Sequence, residues 1–338
     1  MSFFIRQIQL PKDYPALARL KNQLQPGATS AEEQEQEDRQ IPARSRLFKD
    51  ETGALAGFGR ERYVAECART REIIGYAAVW RAPWTPPGVL SSEFYVDSEH
   101  RQKGIGAGLL TRVIDWATEH QADLLMAEIK DWITESLPFA SKRGFQVDAH
   151  VYELRLNLEV AINADSNDFL SSLCDRGFSF FTLAEASLSQ EEALKKLYEL
   201  YLETLRDNPG HVGGLPDFSE WQQEAFPDDR TSPELVFIAA DGDHFVGVTT
   251  LFLTDEPGVL YTDYTGVQQG YRGRGIAQAL KLLSFREAKK RGAHTMTTET
   301  EAKNGPMQAV NQKLGYLPGK GHYRIIKELQ RESAEGHH

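Results

Sequence analysis

Two short glycine-containing runs carry the clearest chemistry in the chain: Arg101-Gln102-Lys103-Gly104-Ile105-Gly106 and Arg272-Gly273-Arg274-Gly275-Ile276-Ala277. Glycine lets a chain turn tightly and brings backbone N–H groups together. With a strand leading in and a helix leading out, those N–H groups and the helix N-terminus form a cradle for an anion such as a pyrophosphate. Arg101, Lys103, Arg272 and Arg274 add positive charge beside it. The other nucleotide loops fit poorly. No Gly-x-x-x-x-Gly-Lys-Ser/Thr is present, and no Gly-x-Gly-x-x-Gly follows a strand.

The elements that must position these runs follow from periodicity. In the first half, residues 3–8 read as a strand, 14–24 and the charged 31–39 as helices, and 40–60 as a loop containing Pro42, Gly53, Gly57 and Gly59. Residues 62–68 and 72–80 read as a hairpin, ended by a Pro-rich break at 82–88. A strand at 92–96 leads into the first glycine run, and a helix runs on to about residue 120. Residues 124–129 read as a strand, 135–143 as a helix, and 146–156 as the strand that closes the half. Residues 157–177 are rich in Asn, Asp and Ser and read as a linker with one short helix near 167–174. The order then returns: strand 178–183, helix 190–206, loop 208–216, helix 218–226, hairpin 234–240 and 245–253, strand 260–267, the second glycine run with a helix to 291, strand 294–300, helix 306–314 and strand 322–327.

Strands alternating with helices predict an α/β (α+β layered) fold, here two mixed-sheet domains in tandem. The internal repeat supports the duplication. Arg101 and Arg272 are 171 residues apart, as are Gly144-Phe145 and Gly315-Tyr316, and no gap is needed between them. Along that stretch Leu109 meets Leu280, Ala117 meets Ala288, and Glu128 meets Glu299. The expected division is an N-terminal domain over 1–156, a linker over 157–177, a C-terminal domain over 178–332 and a tail over 333–338, whose final His337-His338 has the look of a purification-tag remnant. Each half alone leaves a sheet edge uncovered, so the halves are expected to pack as a pseudo-dimer within a monomer, with a dimer as the alternative.

A chain of 338 residues is long enough for two cores. A formal net charge of −11 argues against a nucleic-acid partner. Cys67 and Cys174 fall in different halves and form no disulfide framework, which fits a reducing cytoplasm. No apolar run reaches the length of a membrane span. His100, His120, His150, His211, His244 and His294 show no paired metal spacing, so no metal is expected. Trp80, Trp84, Trp116, Trp132 and Trp221 read as core or pocket wall.

The string TGVQQGYRGRGIAQALK (residues 265–281) resembles the acetyl-CoA pyrophosphate motif of the GNAT superfamily, and NGPMQAVNQKLGY (304–316) resembles the helix that follows it there. VDSEHRQKGIGAGLL (96–110) and FASKRGF (139–145) are similar to the same two elements, more loosely. The resemblance covers both halves and implies an N-acetyltransferase that uses acetyl-CoA as co-substrate and moves the acetyl group directly to a primary amine of a small molecule or a peptide. It implies coenzyme contacts at Val267, Arg272, Gly273, Arg274, Gly275, Ile276, Ala277, Asn304 and Asn311, and in the first half at Val96, Arg101, Gln102, Lys103, Gly104, Ile105 and Gly106. It places the coenzyme in a V-shaped opening between the fourth and fifth strands of a half, its arm paired to the fourth like an added strand. A backbone N–H of that strand would stabilise the oxyanion.

An ammonium must lose its proton before it can attack, and a lysine-like amine has a pKa near 10.4. The candidate bases are Asp263 and Glu299 in the second half and Glu93 in the first, with His322 and Tyr323 near the end. Many members of the family carry a tyrosine acid four residues before the Gly of the Gly-aromatic pair. Here Ala140 and Asn311 stand there, and neither is an acid. Thr300 replaces an Asn frequent in the family. Asn304, Met307 and Asn311 match the family's coenzyme contacts, whereas Ile133, Ser136 and Ala140 at the same offset suit packing, so the second half is expected to do the chemistry. Phe218 and Trp221, with the 208–216 loop, resemble the substrate-side segment. The alternatives are a non-catalytic acyl-CoA-binding or scaffolding protein and a transferase using another acyl-CoA.

Overall fold

The computed structural model describes residues 2–24, 29–39, 46–82, 85–161, 165–208, 215–227 and 230–329. Residues 40–45 of the expected 40–60 loop, 83–84 of the Pro-rich break, 209–214 of the 208–216 loop and the 333–338 tail, with Trp84 and His211, lie outside the described residues. No helix among the described residues is long and apolar enough to cross a membrane.

In chain order the elements are β1 (Phe3–Gln7), α1 (Tyr14–Asn22), α2 (Ala31–Arg39), β2 (Arg46–Lys49), β3 (Leu55–Cys67), β4 (Ile73–Arg81), β5 (Val89–Val96), α3 (Ile105–Glu119), β6 (Leu124–Lys130), α4 (Ser136–Ser141), β7 (Gln146–Asn157), α5 (Leu158–Ala161), α6 (Asp165–Asp175), β8 (Phe178–Thr182), α7 (Gln190–Arg206), α8 (Phe218–Ala225), β9 (Val236–Asp241), β10 (His244–Leu253), β11 (Val259–Val267), α9 (Ile276–Lys290), β12 (Thr295–Glu301), α10 (Gly305–Lys313) and β13 (Leu317–Glu328). The chain forms two compact units. Unit 1 holds Met1–Ile129, Ile133–Asp148 and the chain from Tyr323 onward; unit 2 holds Lys130–Trp132 and Ala149–His322.

Unit 1 is a sheet in which β1, β3, β4 and β5 pair antiparallel and β5 pairs parallel with β6. Alternation along β4 gives the sheet two buried faces. Ala77 and Val79 join Ile105, Leu109 and Val113 of α3, while Tyr76 and Ala78 join Leu17 and Leu20 of α1. The described part of the expected 40–60 loop is a hairpin of β2 and β3 instead. Its glycines mark close backbone approach rather than a loop: a Cβ on Gly59 would lie 2.6 Å from the Leu47 side chain. Ile325 and Leu329 are buried in this unit's core.

In unit 2, β8, β9, β10 and β11 run antiparallel to their neighbours, β11 pairs parallel with β12, and β12 pairs antiparallel with Val151–Asn157 of β7. Phe237 and Ala239 face α9 and α6, while Val236, Ile238 and Ala240 face α7 and Trp221 of α8. The strand expected to close the first half therefore serves the second over most of its length, and Leu154 and Leu156 bury in the unit 2 core. The segment expected as a linker belongs to that core too, through Leu158, Leu170 and Leu173. The strong amphipathic helix α7 starts on a capping box made by Ser189 and Glu192.

Candidate functional site

Each unit opens between its parallel strands. In unit 2, β11 pairs with β12 only through Val259–Thr262, opposite Thr295–Thr298. In unit 1, β5 pairs with β6 only through Val89–Ser92, opposite Leu124–Ala127. Beyond these points Asp263–Val267 and Glu93–Val96 present a backbone edge to the opening. The two strands differ in one respect. Against β10, Thr250 faces Tyr264 and Leu251 faces Thr262, so Asp263 is the extra residue of a bulge. The pairing of β4 with β5 runs through the same region without a shift. A bulge kinks a strand and re-aims its side chains. It also makes Tyr264, not Asp263, the counterpart of Glu93.

The glycine runs close the opening as expected, between a one-turn 3-10 helix (Ser98–His100 or Gln269–Tyr271) and the long helices α3 and α9. Gly104 and Gly275 are the helix N-caps at φ 85° and 92°, where only glycine is unstrained, and no side chain caps either helix. Their first-turn N–H groups are thus left for an anion. Two residues earlier both chains are again left-handed, but Gly273 (φ 74°) is matched by Gln102 (φ 60°).

The basic residues are tied in the same way in both units. Arg272 Nε donates to the Val267 carbonyl at 2.9 Å, as Arg101 Nε does to Val96 at 3.4 Å. The rest of each guanidinium meets Asp207 or Glu135. Arg274 donates to the Gly270 carbonyl and Lys103 to that of Glu99. These side chains shape the loop, and the anion site is chiefly backbone. Phe169 of α6 lies against the unit 2 cradle, 2.9 Å from where a Cβ on Gly275 would stand.

Buried polar groups distinguish the units. Among the described residues, Arg81 alone in unit 1 keeps a buried side-chain polar atom without a partner. In unit 2 such atoms sit on Thr262 of β11 and Thr300 of β12, where the pairing of these strands ends, on Asn311 of α10 and Tyr316, and on Trp221 and Glu301. Asn311 is 1% exposed, and both its amide oxygen and its amide nitrogen lack partners. Burial raises the Tyr316 phenol and the neighbouring Thr262 hydroxyl eases it, without satisfying either group. Orphaned buried groups cost about 1–3 kcal/mol each, and a ligand that pairs with them removes that cost. Ile276 and Ala277 open α9, while Ile105 and Gly106 open α3. Asn304 caps α10, its side-chain oxygen accepting from the Met307 N–H.

The acids are distributed unevenly. Asp263 and Glu299 are exposed on adjacent strands, with Glu153 facing Glu299 from β7. Burial first, then the charges of Glu299, Asp263 and Glu153, holds the Tyr261 phenol well above its ordinary range. The strands thus gather three carboxylates around one tyrosine, a field that draws a cation. Glu93 is differently placed. It faces Lys21 of α1 at 3.7 Å and accepts from Tyr95 at 3.1 Å. His322 and Tyr323 fall in different units.

The model of the acetyltransferase (GNAT) family matches residues 19–145 and 194–316, most of both halves. The chain belongs to the GNAT acetyltransferase family. Membership makes it an acyltransferase built from two GNAT repeats. No protein with a curated description matches it. Among solved structures it is similar to a GCN5-related N-acetyltransferase from Sphaerobacter thermophilus, at 22% identity and TM-score 0.69, covering 97% of this chain and 96% of that one. It is similar to a tandem GNAT protein from the clavulanic acid biosynthesis pathway, at 15% identity and TM-score 0.62, over 97% and 99% of the two chains. The GCN5-related glucosamine N-acetyltransferase region of a fungal multi-domain β-N-acetylglucosaminidase matches 96% of this chain and 38% of that one, at 15% identity and TM-score 0.68. At these identities the likeness is one of fold.

Two features of the GNAT repeat in unit 2 escape a reading by motif. Lys281, inside α9, is 1% exposed, and burial brings its amine down to about 7. Its ammonium group lies 5.3 Å from the centre of the Tyr316 ring. The signal was available, because Leu110 stands at the repeat-equivalent position. The second is a cavity of about 200 Å³ on the α7/α8 side, lined by Leu197, Tyr201, Trp221, Phe226, Tyr264 and Asp263 among others. Of these, Trp221 and the candidate base Asp263 are legible in the sequence, and the cavity as a whole has no contiguous sequence signature.

Proposed function

We propose that the protein transfers an acetyl group from acetyl-CoA directly to a primary amine, and that unit 2 performs the reaction. The observation that carries this is the set of orphaned buried groups, Asn311 above all, in the unit that also holds the α9 glycine cradle. Asn311, Thr300 and the uncapped first turn of α9 fit a ligand that brings both an anion and amide groups. Acetyl-CoA supplies an activated acyl group at the end of such an arm. The Asp263–Val267 edge of β11 offers backbone N–H and C=O groups to that arm and an N–H toward charge developing on the acyl oxygen. Asp263 or Glu299 accepts the proton of the incoming ammonium, directly or through water. Asn311 donates a hydrogen bond toward the sulfur but no proton, so the departing thiolate takes its proton from solvent.

The two reactants approach from opposite faces of the sheet: the coenzyme from the α9 side, the amine from the α7/α8 side. Unit 1 keeps the cradle, but Lys21 and Tyr95 engage Glu93 and β5 lacks the bulge. This supports coenzyme binding without chemistry there. The test is CoA release with a panel of amines, together with calorimetry of acetyl-CoA binding. No heat of binding and no release with any amine would refute the proposal.

A further inference from the structure

The geometry points to a substrate class for this site: we infer that the acceptor is a compact monoamine with an apolar, preferably aromatic, body. The inference rests on the acetyl-transfer reading. The cavity under α7 and α8 measures about 200 Å³, roughly seven water volumes and below the range of about 300–1,000 Å³ typical of drug-sized ligands. It therefore suits one ring with a short arm, or a branched alkyl group.

Most of its lining side chains are aliphatic or aromatic. Leu197, Val248, Ala225 and Phe226 join the rings of Tyr201, Trp221 and Tyr264. Those rings brace one another: Tyr201 and Tyr264 have centroids 4.7 Å apart, and Trp221 meets Phe226 edge-on at 5.9 Å. The Tyr264 hydroxyl is held by Thr204 at 2.8 Å. A rigid aromatic wall favours an apolar or aromatic body and stacks with it. Trp221 is 2% exposed and its indole N–H has no partner in the protein. Besides the tyrosine hydroxyls and the indole N–H, the lining carries the polar side chains of Thr250 and Asp263. Asp263 is the one carboxylate among the described lining residues, and as the bulge residue of β11 it belongs to both the cavity and the opening. Asp263 suits the ammonium of the reacting amine. Held there, the amine nitrogen faces the β11/β12 opening while the body fills the cavity.

The experiment measures binding of 2-phenylethylamine to the full chain by calorimetry and by tryptophan fluorescence, beside spermidine and glucosamine, and then CoA release with each. Ala225→Trp fills the cavity from α8 and leaves the cradle untouched. The expected result is binding of 2-phenylethylamine at least tenfold tighter than of the other two, weakened at least tenfold in Ala225→Trp with acetyl-CoA binding unchanged, and the highest kcat/KM for the aromatic amine. Val248→Phe, which fills the cavity from β10, should reproduce the loss if Ala225→Trp fails to fold. Tighter binding or faster turnover of spermidine or glucosamine overturns the inference and leaves acetyl transfer standing. Equal binding of 2-phenylethylamine by the filled variants overturns it too. Aromatic-amine binding without CoA release in any arm would instead count against acetyl transfer.

Discussion

At the scale of single residues, the site is marked by groups the fold leaves uncomfortable. Asn311 is held in a core with both ends of its amide unpaired, which stabilises nothing in the ligand-free protein. Asn311→Leu is therefore expected to raise the melting temperature without ligand, by the equivalent of about 1–2 kcal/mol, while weakening acetyl-CoA binding about tenfold. A melting curve and a calorimetric titration check the two signs, and a stabilised variant with unchanged binding would remove Asn311 from the coenzyme site. Lys281 makes a second case. Its folded amine is brought down to about 7 from an ordinary 10.5 by burial, so the folded state resists protonation more than the unfolded chain does. The stability associated with it is complete above about pH 10.5, falls as the pH is lowered, and is lost below about pH 7. Lys281→Leu, which copies Leu110, is expected to stabilise by a few kcal/mol at pH 6 and hardly at all near pH 10.5. Denaturant melts at the two pH values check it, and an equal gain at both would contradict it. The string around Asn311 resembles a coenzyme helix, but its lack of partners depends on the packing of α10. Lys281 differs from Leu110 at the equivalent position of the repeat, and only its packing shows that it is buried.

Among the elements, the glycine cradles were the most legible part of the sequence, because a strand, a turn that demands left-handed residues and a helix have only one way to connect. Gly273 and Gln102 occupy the same left-handed position in the two units, and nothing lies within 4 Å of a Cβ placed on Gly273. Gly273→Gln should thus cost only backbone strain, about 1 kcal/mol, and leave the fold intact, as urea midpoints will show; a cost of several kcal/mol would mean that the two cradles are not equivalent. The bulge at Asp263 was not legible. It needs a register between β10 and β11 that only pairing supplies, and yet it separates the two openings. The β2–β3 hairpin was missed for the opposite reason: Gly57 and Gly59 read as loop residues although they serve close approach to β2.

Across the whole molecule, duplication was visible in the constant spacing of 171 residues, but the linear boundary at residue 156 was not how the units divide. Leu154 and Leu156 bury in unit 2, and Ile325 and Leu329 bury in unit 1. No local pattern tells a strand which sheet it will join. A fragment of residues 1–156 therefore lacks part of its own core, and loss of two large aliphatic side chains costs several kcal/mol, comparable to the stability of a typical domain. It should show no cooperative unfolding transition by circular dichroism; a sharp transition would contradict the division. If the opening of unit 2 performs the acetyl transfer, a carboxylate placed in its cradle stops the reaction and one placed in the unit 1 cradle does not. Gly275→Glu and Gly104→Glu are compared for CoA release with any active amine, after circular dichroism has shown both to be folded. Gly275→Glu is expected to lose turnover by a hundredfold or more and Gly104→Glu to keep most of it. Loss of turnover in Gly104→Glu alone would contradict transfer by unit 2.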